Sequence, residues 1–232
     1  MMRKSISDYK LLIFDLDGTL YDQPQLRLTM AVRLAVYYLF HIFRIKELLL
    51  VKEYRKIKEH WDELDESIMP QCVLELREQG MEAMQCAYAA EKTHVTYEKA
   101  RGAVDMWIYK NPLDALKKAE DAELISFIGK SREEGKTVVI LSDYPAQEKL
   151  EALGVEVDGV YCTMQDGIGE MKPSPKGIRV ILDGYKITAD TALMIGDRYE
   201  KDGLCAQRAG VDELILPGRV WKRKKIYRKM LA

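Results

Sequence analysis

The chain has 232 residues, of which 47% are hydrophobic and 31% charged, a composition typical of a globular protein with a core. Its formal net charge of −1 gives no overall attraction for nucleic acid, so no DNA partner is expected. The four cysteines are scattered without a CxxC pair, which favours reduced thiols over a disulfide framework or a zinc site. The N-terminus soon enters a strand pattern with no signal peptide, so a cytoplasmic location is expected.

The first predicted strand, Leu11–Phe14, ends at two aspartates that stand one residue apart. In an open α/β sheet, ligands bind outside the carboxyl ends of the strands, and charge buried there needs a reason. Phosphoryl transfer is such a reason, with Asp15 attacking phosphorus and Asp17 exchanging protons with the leaving oxygen and a water. Gly18 permits a tight turn, and Thr19 can hydrogen-bond the phosphate or cap the turn. The alternative is a turn with two solvated acids.

Residues 22–112 form a region rich in helix-forming residues, and several helices are predicted in it. Apolar residues recur at helical spacing from Leu28 to Phe43, which predicts an amphipathic helix that packs in a helical core. A helix lying on a membrane surface is the alternative, whereas the densest apolar run, Leu34–Phe43, is too short to span a bilayer. Further helices are expected over Val51–Leu64, Val73–Gln79 and Glu82–His94. Four polar residues of this region are either substrate contacts or solvated: Arg27, Arg33, Tyr37 and Arg44.

From Leu113 onward, helices and apolar strands alternate, which predicts a doubly wound parallel α/β sheet. One helix is expected over Leu113–Glu134. Strands are expected over Thr137–Leu141, Gly159–Cys162, Thr191–Ile195 and Glu213–Leu216, with helices over Ala146–Leu153, from the KPSP segment to Leu182, and over Gly203–Ala209. Residues 1–21 and 113–232 would then form one core, and residues 22–112 would be an all-helical insertion.

Polar residues that suit phosphoryl transfer follow several of these strands. Ser142 offers a hydroxyl and, with Asp143, backbone N–H groups for phosphate oxygens. Lys172 offers a positive charge, Asp197 a ligand for Mg²⁺, and Asp202 a group that orients a water or Lys172. Singly, each has an ordinary explanation as a helix cap or a solvated charge. Their occurrence together in this order favours one catalytic site.

The order of these motifs resembles that of the haloacid dehalogenase-like (HAD) hydrolase superfamily. The segments concerned are DLDGT from Asp15, the strand-end Ser142, KPSP from Lys172 and GDRYEKD from Gly196. The resemblance implies a Rossmann-like core with a C1-type helical cap of the subfamily I phosphatases, which closes over the site. It further implies Asp15 as nucleophile, Asp17 as general acid/base, and Ser142 and Lys172 as phosphate ligands. The implied Mg²⁺ ligands are Asp15, the backbone carbonyl of Asp17, and Asp197, with Asp202 in support.

The resemblance also bears on the reaction. Relatives that dehalogenate carbon lack the second acid, so Asp17 favours phosphate chemistry. We therefore expect a magnesium-dependent hydrolase of a small phosphorylated metabolite, with a sugar phosphomutase as the alternative. Asp143 departs from the Asn that is commoner in relatives. Its carboxylate either points away from the phosphate or pairs with a cation, for which Arg198 and Lys172 are candidates. The chain is expected to be a monomer or a homodimer.

The C-terminal segment Val220–Leu231 mixes basic and aromatic residues, and this pattern has two interpretations. It could make weak contact with an anionic lipid surface, nucleic acid or an acidic partner, which would suit a binding protein. Otherwise it is a solvated terminal helix that packs on the core through Trp221, Ile226 and Tyr227.

Overall fold

The computed structural model describes residues 4–230, apart from the side chains of Asp62, Lys229 and Met230. Leu231 and those last two side chains of the predicted C-terminal segment therefore lie outside the described residues. The chain divides into two compact units. Residues up to Leu26 and from Leu116 onward form a sheet unit, and Arg27–Ala115 form a helical unit. The helical unit starts and ends a few residues later than the predicted insertion 22–112.

The sheet unit contains a five-stranded, fully parallel sheet, as the sequence predicts. The strands are β1 (Leu11–Phe14), β2 (Thr137–Ser142), β3 (Gly159–Cys162), β4 (Ala192–Gly196) and β5 (Asp212–Ile215). Their order across the sheet is β3-β2-β1-β4-β5, so β1 lies at the centre between β2 and β4. Phe14 pairs with Ile140 on one side and Ile195 on the other, which brings the ends of these three strands together.

The central strands are buried on both faces, as parallel strands covered by helices should be. Leu11, Ile13 and Met194 pack with Ile178 and Ile181 on one face. On the other face, Phe14 makes an edge-to-face contact with Phe127, with 6.4 Å between ring centroids. Five helices of the sheet unit follow the inserted region in the chain. They are α7 (Ala122–Glu133), α8 (Gln147–Leu153), α9 (Lys176–Tyr185), α10 (Leu204–Ala209) and α11 (Lys224–Met230).

The single helix predicted over Leu113–Glu134 is wrong, because the chain forms two helices there. Helix α6 spans Leu113–Ala119, and α7 starts only at Ala122. Between them, the Asp121 carboxylate accepts the backbone N–H of Leu124 at 3.2 Å and so caps α7. The break places a buried carboxylate at the start of α7.

The helical unit has a small core of its own. Its helices are α1 (Gln23–Phe40, which begins in the sheet unit), α2 (Ile45–Glu59), α3 (Gln71–Leu74), α4 (Met81–Thr93) and α5 (Tyr97–Val104), followed by a π-helix over Asp105–Lys110. Helix α2 packs against α4, and Met69, Val73, Met84 and Ala87 form one buried cluster. Helix α2, at Ile45–Glu59, starts and ends earlier than the predicted helix Val51–Leu64.

The predicted core packing of the apolar stripe on α1 is wrong. The stripe residues are exposed to solvent: Leu28, Val32, Ala35, Val36, Leu39, Phe40 and Phe43. The opposite face of α1 is the one that packs, through Leu26, Met30 and Tyr38. Helical periodicity identifies an apolar face but does not say what covers it. Over the described residues, no helix combines the length and the apolar character needed to cross a bilayer.

Candidate active site

The predicted site residues of the sheet unit come from segments at the carboxyl ends of β1, β2 and β4. Asp15 directly follows β1 and extends the ladder, because its backbone N–H donates to the carbonyl of Ile195 at 2.9 Å. Ser142 ends β2, and Asp197 directly follows β4. Lys172 comes from the loop before α9. The parallel register therefore gathers residues that are far apart in sequence at one edge of the sheet.

Lys172 and Asp15 form the buried centre of this edge. The Lys172 ammonium donates to Asp15 Oδ1 at 2.6 Å and to the carbonyl of Leu141 at 3.3 Å. The Thr19 hydroxyl donates to Asp15 Oδ2 at 2.9 Å. Burial lowers the pKa of Lys172, but the negative charges of Asp15 and Asp202 outweigh it and raise that pKa well above its ordinary value. Lys172 is therefore a cation at neutral pH.

Asp202 holds Lys172 from the other side. Its Oδ1 accepts the Lys172 ammonium at 2.6 Å, and its Oδ2 accepts the backbone N–H of Arg198 at 3.1 Å. Gly196 makes room for this carboxylate, because a Cβ atom on residue 196 would overlap the Asp202 side chain. Asp202 is thus a partner of Lys172, the second of the two roles considered from the sequence.

Three carboxylates converge at the site, and they suit a divalent cation. One oxygen each of Asp15, Asp197 and Asp202 lie within 4.8 Å of one another. Gly18, at φ +99°, lets the chain pass close to this cluster, since a Cβ there would come within 2.5 Å of Asp197 Oδ2. Asp197 Oδ1 is buried and has no hydrogen-bond partner within residues 4–230.

The electrostatics of the cluster show a deficit of positive charge. Burial, with repulsion from Asp202, raises the pKa of Asp197 to about 6. Burial also raises the pKa of Asp15 well above its ordinary value, and repulsion from Asp202 and Asp197 adds to this effect although Lys172 opposes it. Lys172 bonds to two of the three carboxylates, Asp15 and Asp202, and the positive charges near Asp197 do not offset its burial. A divalent cation would balance the remaining negative charge. Mg²⁺, which prefers a few carboxylate oxygens, fits this donor set.

Asp17 lies outside the carboxylate cluster and has a cation of its own. The Lys149 ammonium donates to Asp17 Oδ1 at 2.5 Å, and the Tyr21 hydroxyl donates to the same oxygen. Burial raises the pKa of Asp17, but the charge of Lys149 and the hydrogen bonds from Lys149 and Tyr21 hold it below its ordinary value. Asp17 Oδ2 is buried and has no hydrogen-bond partner among the described residues. The resemblance implied a metal contact only through the Asp17 backbone carbonyl, and the side-chain cluster does not include it.

Lys149 is a residue that the sequence analysis missed. It lies on α8, 132 positions after Asp17, and its ammonium also lies 5.1 Å from the centre of the Tyr144 ring. Nothing in the local sequence separates it from the solvated lysines that are common on helices. Tyr21 lies two residues after the DLDGT motif, and its spacing of four residues from Asp17 was the only signal for the contact.

The carboxylate of Asp143 anchors the loop that carries Lys172. Its Oδ1 accepts the Thr163 hydroxyl at 2.8 Å and the Lys172 backbone N–H at 3.1 Å. Both donors are neutral groups, and neither of these hydrogen bonds is the predicted pairing with the Lys172 ammonium or the Arg198 guanidinium. Ser142 Oγ accepts the backbone N–H of Tyr144 at 3.0 Å, and a hydroxyl in that position still has its proton to donate.

The C-terminal segment contributes a buried arginine to the site loop. Arg223 donates to the carbonyls of Gly18 and Thr19, both at 2.6 Å, and to Asp121 Oδ2 at 2.9 Å. Its side chain is fully buried, as is that of Asp121. Tyr227 is also buried and donates to the same Asp121 oxygen. Arg223 is therefore a structural anchor and not part of a solvated basic surface.

The predicted packing of Trp221 on the core is wrong, since 67% of that side chain is exposed. Tyr227 packs as predicted, and Ile226 is half-buried. The adjacent Lys222, Lys224 and Lys225 are exposed, so they retain the cationic character that the sequence suggested.

Comparison with known proteins agrees with this architecture. A segment of 72 residues is 35% identical to a phosphoglycolate phosphatase of Rhodospirillum rubrum, and it covers 31% of this chain and 30% of that protein. The chain thus matches less than a third of the length of this curated relative.

Solved structures match over most of the chain. A 2-haloacid dehalogenase from Pseudomonas syringae superposes with a TM-score of 0.58 at 19% identity, covering 90% of this chain and 86% of that one. A candidate β-phosphoglucomutase from Thermotoga maritima gives a TM-score of 0.50 at 17% identity, over 87% and 82% of the two chains. At these identities the likeness concerns the fold.

The sequence model of the haloacid dehalogenase-like hydrolases matches residues 9–210, which include all four motifs. Because that match spans most of the chain and the parallel sheet agrees with it, the resemblance drawn from the motifs is confirmed: the chain belongs to the haloacid dehalogenase-like hydrolase family.

Proposed function

We propose that this protein is a magnesium-dependent phosphomonoester hydrolase that forms an aspartyl phosphate on Asp15. One observation carries the proposal. Asp15 and Asp17 lie in one turn, but each carboxylate accepts a hydrogen bond from a different lysine. Lys172 donates to Asp15, and Lys149 donates to Asp17. A nucleophile and a proton-transfer group need such different environments. The substrate is a small phosphorylated metabolite.

Asp15 is positioned to attack phosphorus. Lys172 and Thr19 each hold one of its oxygens, which fixes the carboxylate plane, and Oδ atoms keep lone pairs for bond formation. Because the carboxylate is already held in place, its attack on a bound substrate is effectively a unimolecular step. The Lys172 ammonium and the Ser142 hydroxyl are suited to bind phosphate oxygens, since both can donate a proton to an anion.

Asp17 is suited to move the proton. Lys149 and Tyr21 occupy Oδ1, so Oδ2, which has no partner among the described residues, is the atom at which a proton would be held. As acid, Asp17 would protonate the leaving oxygen during attack. As base, it would then take a proton from the water that hydrolyses the aspartyl phosphate. Its lowered pKa favours the charged form, which is the form that takes the proton from this water.

Asp15, Asp197 and the backbone carbonyl of Asp17 would hold the magnesium ion, with Asp202 beside them. A bound Mg²⁺ supplies positive charge against the phosphoryl oxygens and would relieve the repulsion among the carboxylates. The raised pKa values of Asp15 and Asp197 support this assignment, because the positive charges near these carboxylates do not offset their burial and their mutual repulsion.

The first experiment is a phosphate-release assay with Mg²⁺ or with EDTA on a panel of phosphomonoesters. The panel includes phosphoglycolate, sugar phosphates, nucleoside monophosphates and p-nitrophenyl phosphate. Wild type should release phosphate only with Mg²⁺, and Asp15→Asn should be inactive. Asp17→Asn should release about one equivalent of p-nitrophenolate and then stall, because this leaving group needs no proton but the aspartyl phosphate still needs a base.

Several outcomes would contradict the proposal. Activity that survives Asp15→Asn would show that Asp15 is not the nucleophile. Steady turnover of p-nitrophenyl phosphate by Asp17→Asn would show that Asp17 is not the base. Interconversion of sugar phosphate isomers without phosphate release would identify a mutase, and halide release from 2-haloacids without phosphate release would identify a dehalogenase.

A further inference from the structure

The helical unit contains a cavity of its own, with a volume of ≈ 470 Å³. Small-molecule sites have volumes of roughly 300–1,000 Å³, so the cavity is large enough for a ligand. Glu82 and Cys86 of α4 line it, together with Tyr97 and Arg101 of α5. Tyr109 is contributed by the π-helix, an uncommon element that often occurs at functional sites. None of these residues belongs to the site of the sheet unit.

The lining of the cavity carries two opposite charges that do not neutralise each other. Glu82 and Arg101 both line it, and neither has an ion-pair partner within residues 4–230. Asp105, a second carboxylate of the lining, is paired with Lys110 at 2.6 Å. Burial raises the pKa of the Cys86 thiol to about 12, while Arg101 opposes this rise and Glu82 adds to it. Both charges therefore lie near the same thiol.

Two tyrosine hydroxyls extend this separation of charge. The Tyr97 oxygen is buried and has no hydrogen-bond partner in the described part of the chain, and the Arg101 guanidinium lies 6.0 Å from the centre of the Tyr97 ring. Both groups can donate to an anion. The Tyr109 oxygen lies 3.0 Å from that of Tyr54. Burial, with Tyr54 and the charge of Glu82, raises the pKa of Tyr109, so a neutral phenol accompanies the carboxylate.

These groups favour one class of ligand. A purely anionic or purely cationic ligand would be attracted by one of the two charges and repelled by the other. A zwitterion meets both charges with opposite sign. We propose that the cavity binds a small zwitterion of the amino-acid class, whose acid group accepts from Arg101 and Tyr97 and whose ammonium donates to Glu82. Ala83 and Val104 line the same cavity and offer apolar contact to the rest of the ligand. The inference is independent of the proposed catalytic activity.

The test is a thermal-shift and calorimetric titration of the full-length protein. The probes are the standard L-amino acids, β-alanine and 4-aminobutyrate, each at about 10 mM. At least one of them should raise the Tm and bind with a Kd below about 1 mM. The tightest is then compared with its deaminated acid and its decarboxylated amine. Each analogue should bind at least about tenfold more weakly, because it leaves one charge of the cavity without a partner.

Variants assign the two ends of the ligand. Arg101→Gln should weaken amino-acid binding at least about tenfold but should not weaken binding of the amine analogue. Glu82→Gln should have the converse effect and should not weaken binding of the acid analogue. Tyr97→Phe removes only a hydroxyl and should weaken amino-acid binding by about twofold to tenfold. The matched controls Glu98→Gln and Lys99→Gln change exposed residues of α5 outside the cavity, so binding should stay within about twofold of wild type.

Circular dichroism and the ligand-free Tm should verify that each variant is folded, and the comparison of analogues needs wild type alone. Three results would overturn the proposal. The first is that no amino acid raises the Tm or gives heat of binding, which would leave the cavity to solvent. The second is that the acid or the amine analogue binds as tightly as the amino acid, which would identify a ligand of single charge. The third is that Arg101→Gln and Glu82→Gln both bind the amino acid as wild type does, which would place the ligand elsewhere.

Discussion

Replacing Arg223 with methionine tests whether the C-terminal segment anchors the loop of the site. Methionine keeps an unbranched apolar chain but has no donors. The change leaves the Asp121 carboxylate buried without its cation and takes a donor from the carbonyls of Gly18 and Thr19. Those carbonyls belong to the turn that directly follows Asp15 and Asp17, so both stability and activity should fall.

The buried ion pair between Arg223 and Asp121 determines how much stability the Arg223→Met variant should lose. Arg223 and Asp121 are fully buried, and removal of one partner of a buried pair costs about 3–5 kcal/mol. Each carbonyl left without a donor would add about 1–3 kcal/mol if the loop did not rearrange. A loss of at least about 3 kcal/mol is therefore expected, a large share of the roughly 5–15 kcal/mol by which domains are stable.

Urea unfolding followed by circular dichroism measures this loss. Lys224→Met is the matched control, because Lys224 is the next residue and is exposed, and it should change the free energy of unfolding by less than about 0.5 kcal/mol. Asp121→Asn in the Arg223→Met background should restore part of the stability, because it removes the unpaired charge and keeps one oxygen, which can accept either the Leu124 N–H or the Tyr227 hydroxyl.

An Arg223→Met protein that unfolds within about 1 kcal/mol of the Lys224→Met control would refute this reasoning. So would a double variant that is less stable than Arg223→Met alone. Full activity in a destabilised Arg223→Met protein would show that the two carbonyl contacts do not position the catalytic turn.

Three further predictions concern the site itself. Lys149→Met should raise the pKa of Asp17, because its main stabilising charge is lost, and should move the limb of the kcat/KM profile that reports Asp17 to higher pH. The Mg²⁺-induced rise in Tm should shrink as the pH falls through about 6, where Asp197 takes a proton, and should be smaller still in Asp197→Asn. Gly196→Ala should abolish most activity, because its Cβ displaces Asp202 from Lys172.

Each of these has a control. Lys130→Met, on an exposed position of α7, should leave the pH profile unchanged, and Asp183→Asn should leave the Mg²⁺ response unchanged. Gly129→Ala should be neutral or stabilising by roughly 0.5–1 kcal/mol, since residue 129 is helical and a Cβ there meets nothing within 4 Å. An unshifted pH profile for Lys149→Met, a Tm response to Mg²⁺ that is equal at pH 5 and pH 8, or an active Gly196→Ala protein would each contradict the corresponding argument.

The sheet and the gathering of the site residues were predictable because both follow from local patterns. Apolar runs such as Leu11–Phe14 identify buried strands, and parallel strands bring their carboxyl ends to one edge. Polar residues at those ends, such as Asp15 and Ser142, are thereby placed without knowledge of any contact. The break before α7 was missed because the Asp121 cap is a single residue within a sequence that otherwise suits a helix.

The long-range contacts that lysine and arginine side chains make with the site were not predictable in this way. Lys149 reaches Asp17 across 132 positions, and Arg223 reaches Thr19 across 204. A lysine on a helix and an arginine in a basic run have the same local sequence whether they are solvated or buried. The exposure of the α1 stripe was missed for a related reason, because periodicity gives the direction of an apolar face but not its neighbour.

The central place of β1 affects the order in which the chain can fold during synthesis. Its two partners, β2 and β4, come from segments made much later. At translation rates of about 5–20 residues per second, the roughly 130 residues between the end of β1 and the end of β2 take about 6–26 s to synthesise. During that time the helical unit Arg27–Ala115, which has its own buried cluster, can form, whereas the strand Leu11–Phe14 keeps both edges unpaired. An apolar strand with free edges invites pairing with other chains. The nascent protein should therefore depend most on chaperones in this interval, until β2 covers the first edge of β1.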